Sequence, residues 1–238
     1  MDSQCATTVE PTRHEEYYID DGNVIFQVET TLFKIHRFFF IRHSEIFQSM
    51  FTLPPGEGNT AEGQCDEVPI YLPGTTAQEF EHFLWIFYSP DFGEYSAPAD
   101  KWCSILKLAT QWEFASIRSL AIRKLNELPD EAIQPADRIV IAHRFQLDGW
   151  LLKPYVNLIC RPSPLTIEEG RKLGLEDVIL LSRAREEIKH RELQTDRNQE
   201  IYYGVMSKEP LIERQSVWNA AAALLDLPEV PIVRRKPQ

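Results

Sequence analysis

Polar residues fill positions 1–16, and apolar ones first gather at Val24-Ile25-Phe26-Gln27-Val28 and again at Leu32-Phe33-Lys34-Ile35. Short runs rich in Val, Ile and Phe suit a pleated, half-buried surface, and with only Glu29-Thr30-Thr31 between them they predict a β-hairpin. Asp21-Gly22-Asn23, just ahead of the first run, is a turn signal. From His36 to Phe51 the spacing becomes helical, and Ser44 is placed to cap a short helix reaching Phe51. Residues 53–67, LPPGEGNTAEGQCDE, hold two prolines and three glycines and cannot bury a face, so they predict a mobile loop. Val68-Pro69-Ile70-Tyr71-Leu72 reads as a short strand; Pro69 has no N–H for a ladder, which places that strand at a sheet edge.

Beyond residue 75 the period is helical. Thr76 and Glu79 have the spacing of a capping box, and Phe80, Phe83, Leu84 and Phe87 follow as one apolar stripe. Ser89-Pro90-Asp91-Phe92-Gly93 ends that helix. Trp102, Ile105, Leu106, Ala109 and Trp112 form a second stripe, and Ile117, Leu120, Ala121 and Leu125 a third. After Leu128-Pro129-Asp130, shorter helices are expected at Pro135–Phe145 and Trp150–Ile159. Thr166 and Glu169 make another capping box, Gly174 is a stop, and 175–194 reads as a long charged helix. A further helix is expected near Ser216–Leu225, ahead of a Pro-rich tail. Strands come first and helices follow, so the fold class is α+β: a small β-sheet flanked by a helical cluster, continuing into an all-helical extension. The domain reading is a flexible N-terminus at 1–16, a mixed domain at 17–128, a helical extension at 129–195, and a partly ordered tail at 196–238.

Composition narrows the function. With 238 residues, 43% hydrophobic and 26% charged, the chain can bury a core without staples. A formal charge of −11 repels phosphate backbones and anionic lipid, which argues against nucleic-acid and membrane-surface roles. Cys5, Cys65, Cys103 and Cys160 are dispersed with no CxxC pair, as suits free thiols in a reducing compartment. No apolar segment marks the first twenty residues as a signal peptide, so a cytoplasmic or nuclear location is expected.

The residues with catalytic potential read more simply as structure. His36 and His43 stand seven apart, but a metal needs further ligands, and Cys65 lies in the loop without a partner motif. No GxSxG, P-loop, GxGxxG or HExxH occurs. Asp20-Asp21 beside a glycine reads as a solvated turn. No catalytic residue, metal site or cofactor is assigned.

Residues 24–128 resemble the BTB/POZ family. The resemblance is carried by the hairpin, then Phe33-Lys34-Ile35-His36-Arg37, the hydrophobic helix Phe38–Ile41, Ser44-Glu45-Ile46-Phe47, and the pair Met50-Phe51. The strand at Val68–Leu72, the helix at Glu79–Tyr88 and the helices at 101–126 follow in the family's order. Residues 135–186 look like the helical extension of many fungal BTB proteins. The resemblance implies a BTB/POZ fold, with Phe33, His36, Arg37, Ser44 and Phe47 as its structural signature and His36 fixing its turn by hydrogen bonds. It makes the phenylalanines packing groups, and because three adjacent Phe cannot share one helix face, at least one must meet a neighbouring element or a partner. It also implies a non-enzymatic interaction protein, whose partners could be a cullin and a ubiquitination target, in a substrate adaptor of a ubiquitin ligase. The cullin-contact positions would be Met50, Phe51, Pro55 and Glu57. The alternatives carried forward are a self-associating scaffold or transcriptional regulator without cullin binding, and an unrecognised metal-dependent enzyme. Residues 1–16 lack the apolar helix that swapped homodimers of the family use, and Asn23 stands where the family often has an acid paired with basic groups.

Overall fold

The protein, represented by a computed structural model, is described at residues 10–53, 62–89 and 95–202, with side chains to residue 190. The chain divides into two units, Met1–Ala132 and Ile133–Gln238.

The first unit is built on a four-stranded sheet of β1 (Thr12–Tyr18), β2 (Val24–Val28), β3 (Thr31–Ile35) and β4 (Ile70–Tyr71), in the order β1-β3-β2-β4. β2 and β3 form the expected antiparallel hairpin, with Val24 opposite Ile35 and Val28 opposite Thr31. Glu29, in the turn, has φ 54, and its carboxylate accepts the Ala77 N–H at 3.0 Å. The short turn and the start of a later helix are therefore tied through one side chain. β4 runs parallel to β2 at the edge, as Pro69 required, but its ladder covers Ile70–Tyr71 rather than all of 68–72.

β1 corrects the expectation of a loose segment at 1–16 over residues 12–16, residues 1–9 lying outside the described ones. It pairs in parallel with β3, and Thr12 faces Thr31. A bulge lies between Arg13 and Tyr18, where His14 Nδ1 accepts the N–H groups of Glu16 at 3.1 Å and Tyr17 at 3.0 Å. The ring of His14 also stacks on Phe33, with centroids 4.7 Å apart. The loop expected at 53–67 is likewise fixed at its far end. Asp66 accepts from Arg13 Nε at 2.9 Å, Arg13 Nη2 at 2.7 Å and the Tyr18 hydroxyl at 2.6 Å. Gly63, with φ 81, donates to Val68 O and accepts from Ile25 N–H; a Cβ there would lie 2.8 Å from Ile70 Cδ1. A left-handed backbone in so tight a place calls for glycine.

Helices α1 (Arg37–His43), α2 (Glu45–Thr52), α3 (Ala77–Tyr88), α4 (Ala99–Gln111) and α5 (Ala115–Glu127) complete this unit. Both bonds of the Thr76/Glu79 capping box are present. Glu79 also takes Lys107 Nζ at 2.6 Å, which fastens α4 to the start of α3. Trp102, Ile105, Leu106, Ala109 and Trp112 are buried as their spacing predicts, whereas Phe87 and Leu120 are only half-buried.

The second unit holds α6 (Pro135–Phe145), α7 (Leu152–Cys160), α8 (Ile167–Leu173) and α9 (Leu175–Tyr202). Trp150, expected to open a helix, instead closes a 3-10 turn at Asp148–Trp150 and is buried there. The Thr166/Glu169 capping box forms, and Gly174 stops α8 with φ 85. Arg161 grips Glu169 with two N–H groups and gives others to Ser163 O and Pro164 O, which locks the α7–α8 turn. The guanidinium holds the Glu169 carboxyl down at about 2. Tyr155 is buried and donates to Asp177; burial, reinforced by that carboxylate, holds its hydroxyl far above the usual range. α9 runs beyond the expected end at 194, and the helix expected at Ser216–Leu225 lies outside the described residues.

Candidate protein-interaction surface

The segment from His36 to Leu53 begins with a histidine that stops one strand and starts one helix. His36 is the N-cap of α1; its backbone N–H donates to the Tyr88 hydroxyl at 3.0 Å, and Nδ1 lies 3.0 Å from the same oxygen. An oxygen that accepts the amide can donate its own proton to Nδ1, which leaves Nε2 carrying hydrogen toward Asp21 Oδ1 at 3.3 Å. Burial raises the Tyr88 pKa, so the hydroxyl keeps the proton this pattern needs. Arg37 N–H donates to Asn23 Oδ1 at 2.9 Å, so Asn23 supplies a neutral amide cap to the first turn of α1.

The three adjacent phenylalanines part company. Phe40 is fully buried and meets Phe26, Phe47, Phe83 and Phe114, with centroids 4.9 Å from Phe47 and 5.6 Å from Phe114. Phe39 stacks on Phe87 at 5.0 Å and meets Tyr88 edge-on at 5.6 Å. Phe38 is 56% exposed, with the Arg42 guanidinium 5.6 Å from its ring centre. Edge-to-face pairs add roughly 0.5–1.5 kcal/mol beyond burial, so this cluster gives α1 and α2 a stiff backing. Phe33 belongs to the same core and meets Phe80 edge-on at 4.9 Å.

Ser44 joins the two helices to the rest of the unit. It is 3% exposed; its Oγ accepts the Phe47 N–H at 3.2 Å, as expected of an N-cap, and donates to Trp112 O at 2.7 Å. The second bond was not legible in sequence, because its acceptor is a backbone carbonyl 68 residues away.

With Phe47 facing inward, the far side of α2 presents Glu45, Ser49 and Thr52, all exposed, and an apolar row runs along the flank beside Phe47. Ile46 is 40% exposed, Met50 half-buried and Leu53 71% exposed. These positions are i, i+4 and i+7, one stripe of a helix. Phe51 is half-buried, its ring 6.2 Å from Phe47. Of the four expected contact positions, Met50 and Phe51 therefore sit on this helix, while Pro55 and Glu57 lie outside the described residues.

The histidines have separate surroundings. His36 is held by Tyr88 and Asp21, whereas His43 is exposed beside the Phe87 ring at 6.4 Å. Among the described residues, no three or more His, Cys, Asp or Glu side chains are grouped so as to hold a metal ion. No helix among them is long and apolar enough to cross a membrane.

A family model of the BTB/POZ domain matches residues 12–129, from the first residue of β1 to just past α5. No curated protein matches the chain.

Proposed function

Since residues 12–129 are a BTB/POZ domain, from a family of protein-interaction modules, we propose that this chain acts by binding another protein along α2, with Ile46, Met50 and Leu53 as anchors. The observation that carries this reading is the apolar flank of α2. Phe47 is sunk in aromatic rings, and the row beside it turns large apolar groups at Ile46 and Leu53 to solvent, with Met50 half-buried between them. Burying such a side chain fully is worth roughly 1.5–3 kcal/mol, and a helix already held in place loses little freedom on binding.

The partner proposed is the N-terminal domain of a cullin, which makes the chain a ubiquitin-ligase adaptor working in the cytoplasm or nucleus. The stripe leads directly into the segment carrying Pro55 and Glu57, and the second unit is left to engage the protein to be ubiquitinated. Titration calorimetry with cullin N-terminal domains should show binding, weakened about tenfold or more by Leu53→Asp, Phe51→Ala or Glu57→Lys. Absence of heat with every cullin of the same cell removes the adaptor reading.

A second reading, self-association in a scaffold or transcriptional regulator, draws on Phe38, which with Arg42 presents another apolar group on α1. Light scattering across a concentration series tests it. A dimer abolished by Phe38→Asp supports it, and a strict monomer removes it.

A further inference from the structure

The turn from α7 to α8 in the second unit reads Arg161-Pro162-Ser163-Pro164-Leu165-Thr166. Pro162, Ser163 and Pro164 are exposed. A residue that precedes proline is driven toward extended backbone, and Arg161 and Ser163 each precede one. Arg161 accordingly has φ −67 and ψ 143, and Thr166, which closes the turn, has φ −80 and ψ 161. The serine is thus offered on an accessible stretch, with a ring and no N–H at the position after it. The chain's other Ser-Pro pair is placed differently: Ser89 is half-buried and ends α3, its N–H on Trp85 O.

Arg161 joins this serine to the next helix. Its Nε donates to Ser163 O at 3.2 Å and its Nη2 to Pro164 O at 2.9 Å. Nη1 and Nη2 hold the two oxygens of Glu169 at 2.6 and 2.5 Å, so four of the five guanidinium N–H groups are engaged. Glu169 in turn accepts the Thr166 N–H at 2.8 Å, as part of the α8 capping box.

We propose that Ser163 is the acceptor of a proline-directed protein kinase, and that its phosphate draws the Arg161 guanidinium away from Glu169. In the transfer the γ-phosphoryl group of ATP passes to Ser163 Oγ. The new O–P bond forms, the bond to the departing ADP breaks, and the hydroxyl proton goes to the kinase's catalytic aspartate. The product carries a charge of about −1.5 to −2 at pH 7 and three acceptor oxygens, against the single charge of a carboxylate. Arg161 can turn to it without leaving the serine, because its Nε already rests on that residue's carbonyl. Pro164 and Leu165 also border a groove of about 400 Å³ that Arg185 and Lys189 line, with one carboxylate, Glu186, among its lining residues. These cations favour a phosphate on the turn.

The test treats the full chain with a mitogen-activated or a cyclin-dependent kinase and magnesium ATP, and locates the phosphate by mass spectrometry of peptides. Phosphate should appear at Ser163 and be lost in Ser163→Ala and in Pro164→Ala. Amide hydrogen exchange reads the consequence. At Thr166, Glu169 and Gly170 it should quicken about fivefold on phosphorylation, the scale of a good ion pair, with exchange at β2 and β3 unchanged. Arg161→Ala should quicken the same amides without any kinase, and phosphorylation of that variant should add nothing further. No phosphate at Ser163, or phosphate at Ser89 in its place, overturns the proposal. Phosphate at Ser163 with exchange at 166–170 unchanged or slowed overturns the withdrawal of Arg161.

Discussion

Replacing Ser44 by alanine removes one oxygen that serves two helices, and the structure sets the size of the loss. The first component is the N-cap of α2, where Phe47 N–H loses its acceptor; such a loss costs about 1 kcal/mol. The second is the Trp112 carbonyl, which gives up its 2.7 Å donor at a site where Ser44 itself is 3% exposed. A stranded buried acceptor costs about 1–3 kcal/mol. Together they predict a loss of about 2–4 kcal/mol in the first unit, or a fall in Tm of roughly 8–16 °C for a unit of this size. Urea unfolding followed by tryptophan fluorescence reads it, since Trp85, Trp102 and Trp112 all lie in that unit. Two further variants separate the components. Ser44→Thr keeps the hydroxyl and should recover most of the loss. Ser44→Asp keeps an acceptor for Phe47 N–H but cannot donate to Trp112 O, and it buries a charge, so it should be no better than alanine. A drop below about 0.5 kcal/mol for Ser44→Ala, or full rescue by aspartate, would refute the two-bond account.

Phe40→Ala empties the centre of the ring cluster and should cost about 3–5 kcal/mol, read by the same urea transition. Tyr88→Phe deletes the hydroxyl shared by the His36 amide and Nδ1; a loss of about 1–2 kcal/mol is expected, and a neutral result would show that the strand–helix junction holds without it. Glu169, whose pKa falls from 4.5 in the free side chain to about 2 beside Arg161, favours the folded form above pH 4.5. That contribution is lost as pH falls toward 2. Acid titration of the second unit, followed by circular dichroism, should show a loss of stability in that window, and Arg161→Ala should flatten it. Gly22→Ala should destabilise the first unit by more than 1 kcal/mol in thermal unfolding, because its Cβ would lie 2.9 Å from the Lys34 and Ile35 backbone.

Elements defined by short-range chemistry were readable from the chain. The hairpin, the Ser44 cap, both capping boxes and the stripes of α3 and α4 each rest on residues close to one another in the chain, the widest being the hairpin from Val24 to Ile35. What could not be read depended on distant partners. β1, sequence TRHEEYY, buries only Tyr17 and shows no apolar alternation; its strand character comes from parallel pairing with β3 and from a bulge fixed by His14. The 62–67 segment looks like pure loop by composition, yet its Gly63 backbone and Asp66 carboxylate fasten it to β2 and β1. Within Phe38-Phe39-Phe40, sequence requires that the rings diverge but cannot say which one faces solvent, since that depends on where α3 lies. The outward stripe of α2 was concealed for the same reason. Ile46 and Leu53 were not singled out beside Met50 and Phe51, because only the burial of Phe47 reveals which side of the helix is left over.

The attachment of β1 through Asp66 has a consequence for the order of events during synthesis. Thr12–Tyr18 is the earliest of the four strands to be made, yet the carboxylate that takes both Arg13 and Tyr18 is translated about fifty residues later. Until it emerges, the nascent strand has β3 alone to hold it, through the backbone ladder and the stacking of His14 on Phe33. The first piece of the sheet to leave the ribosome thus waits, after its pairing strand is made, for a carboxylate still to come.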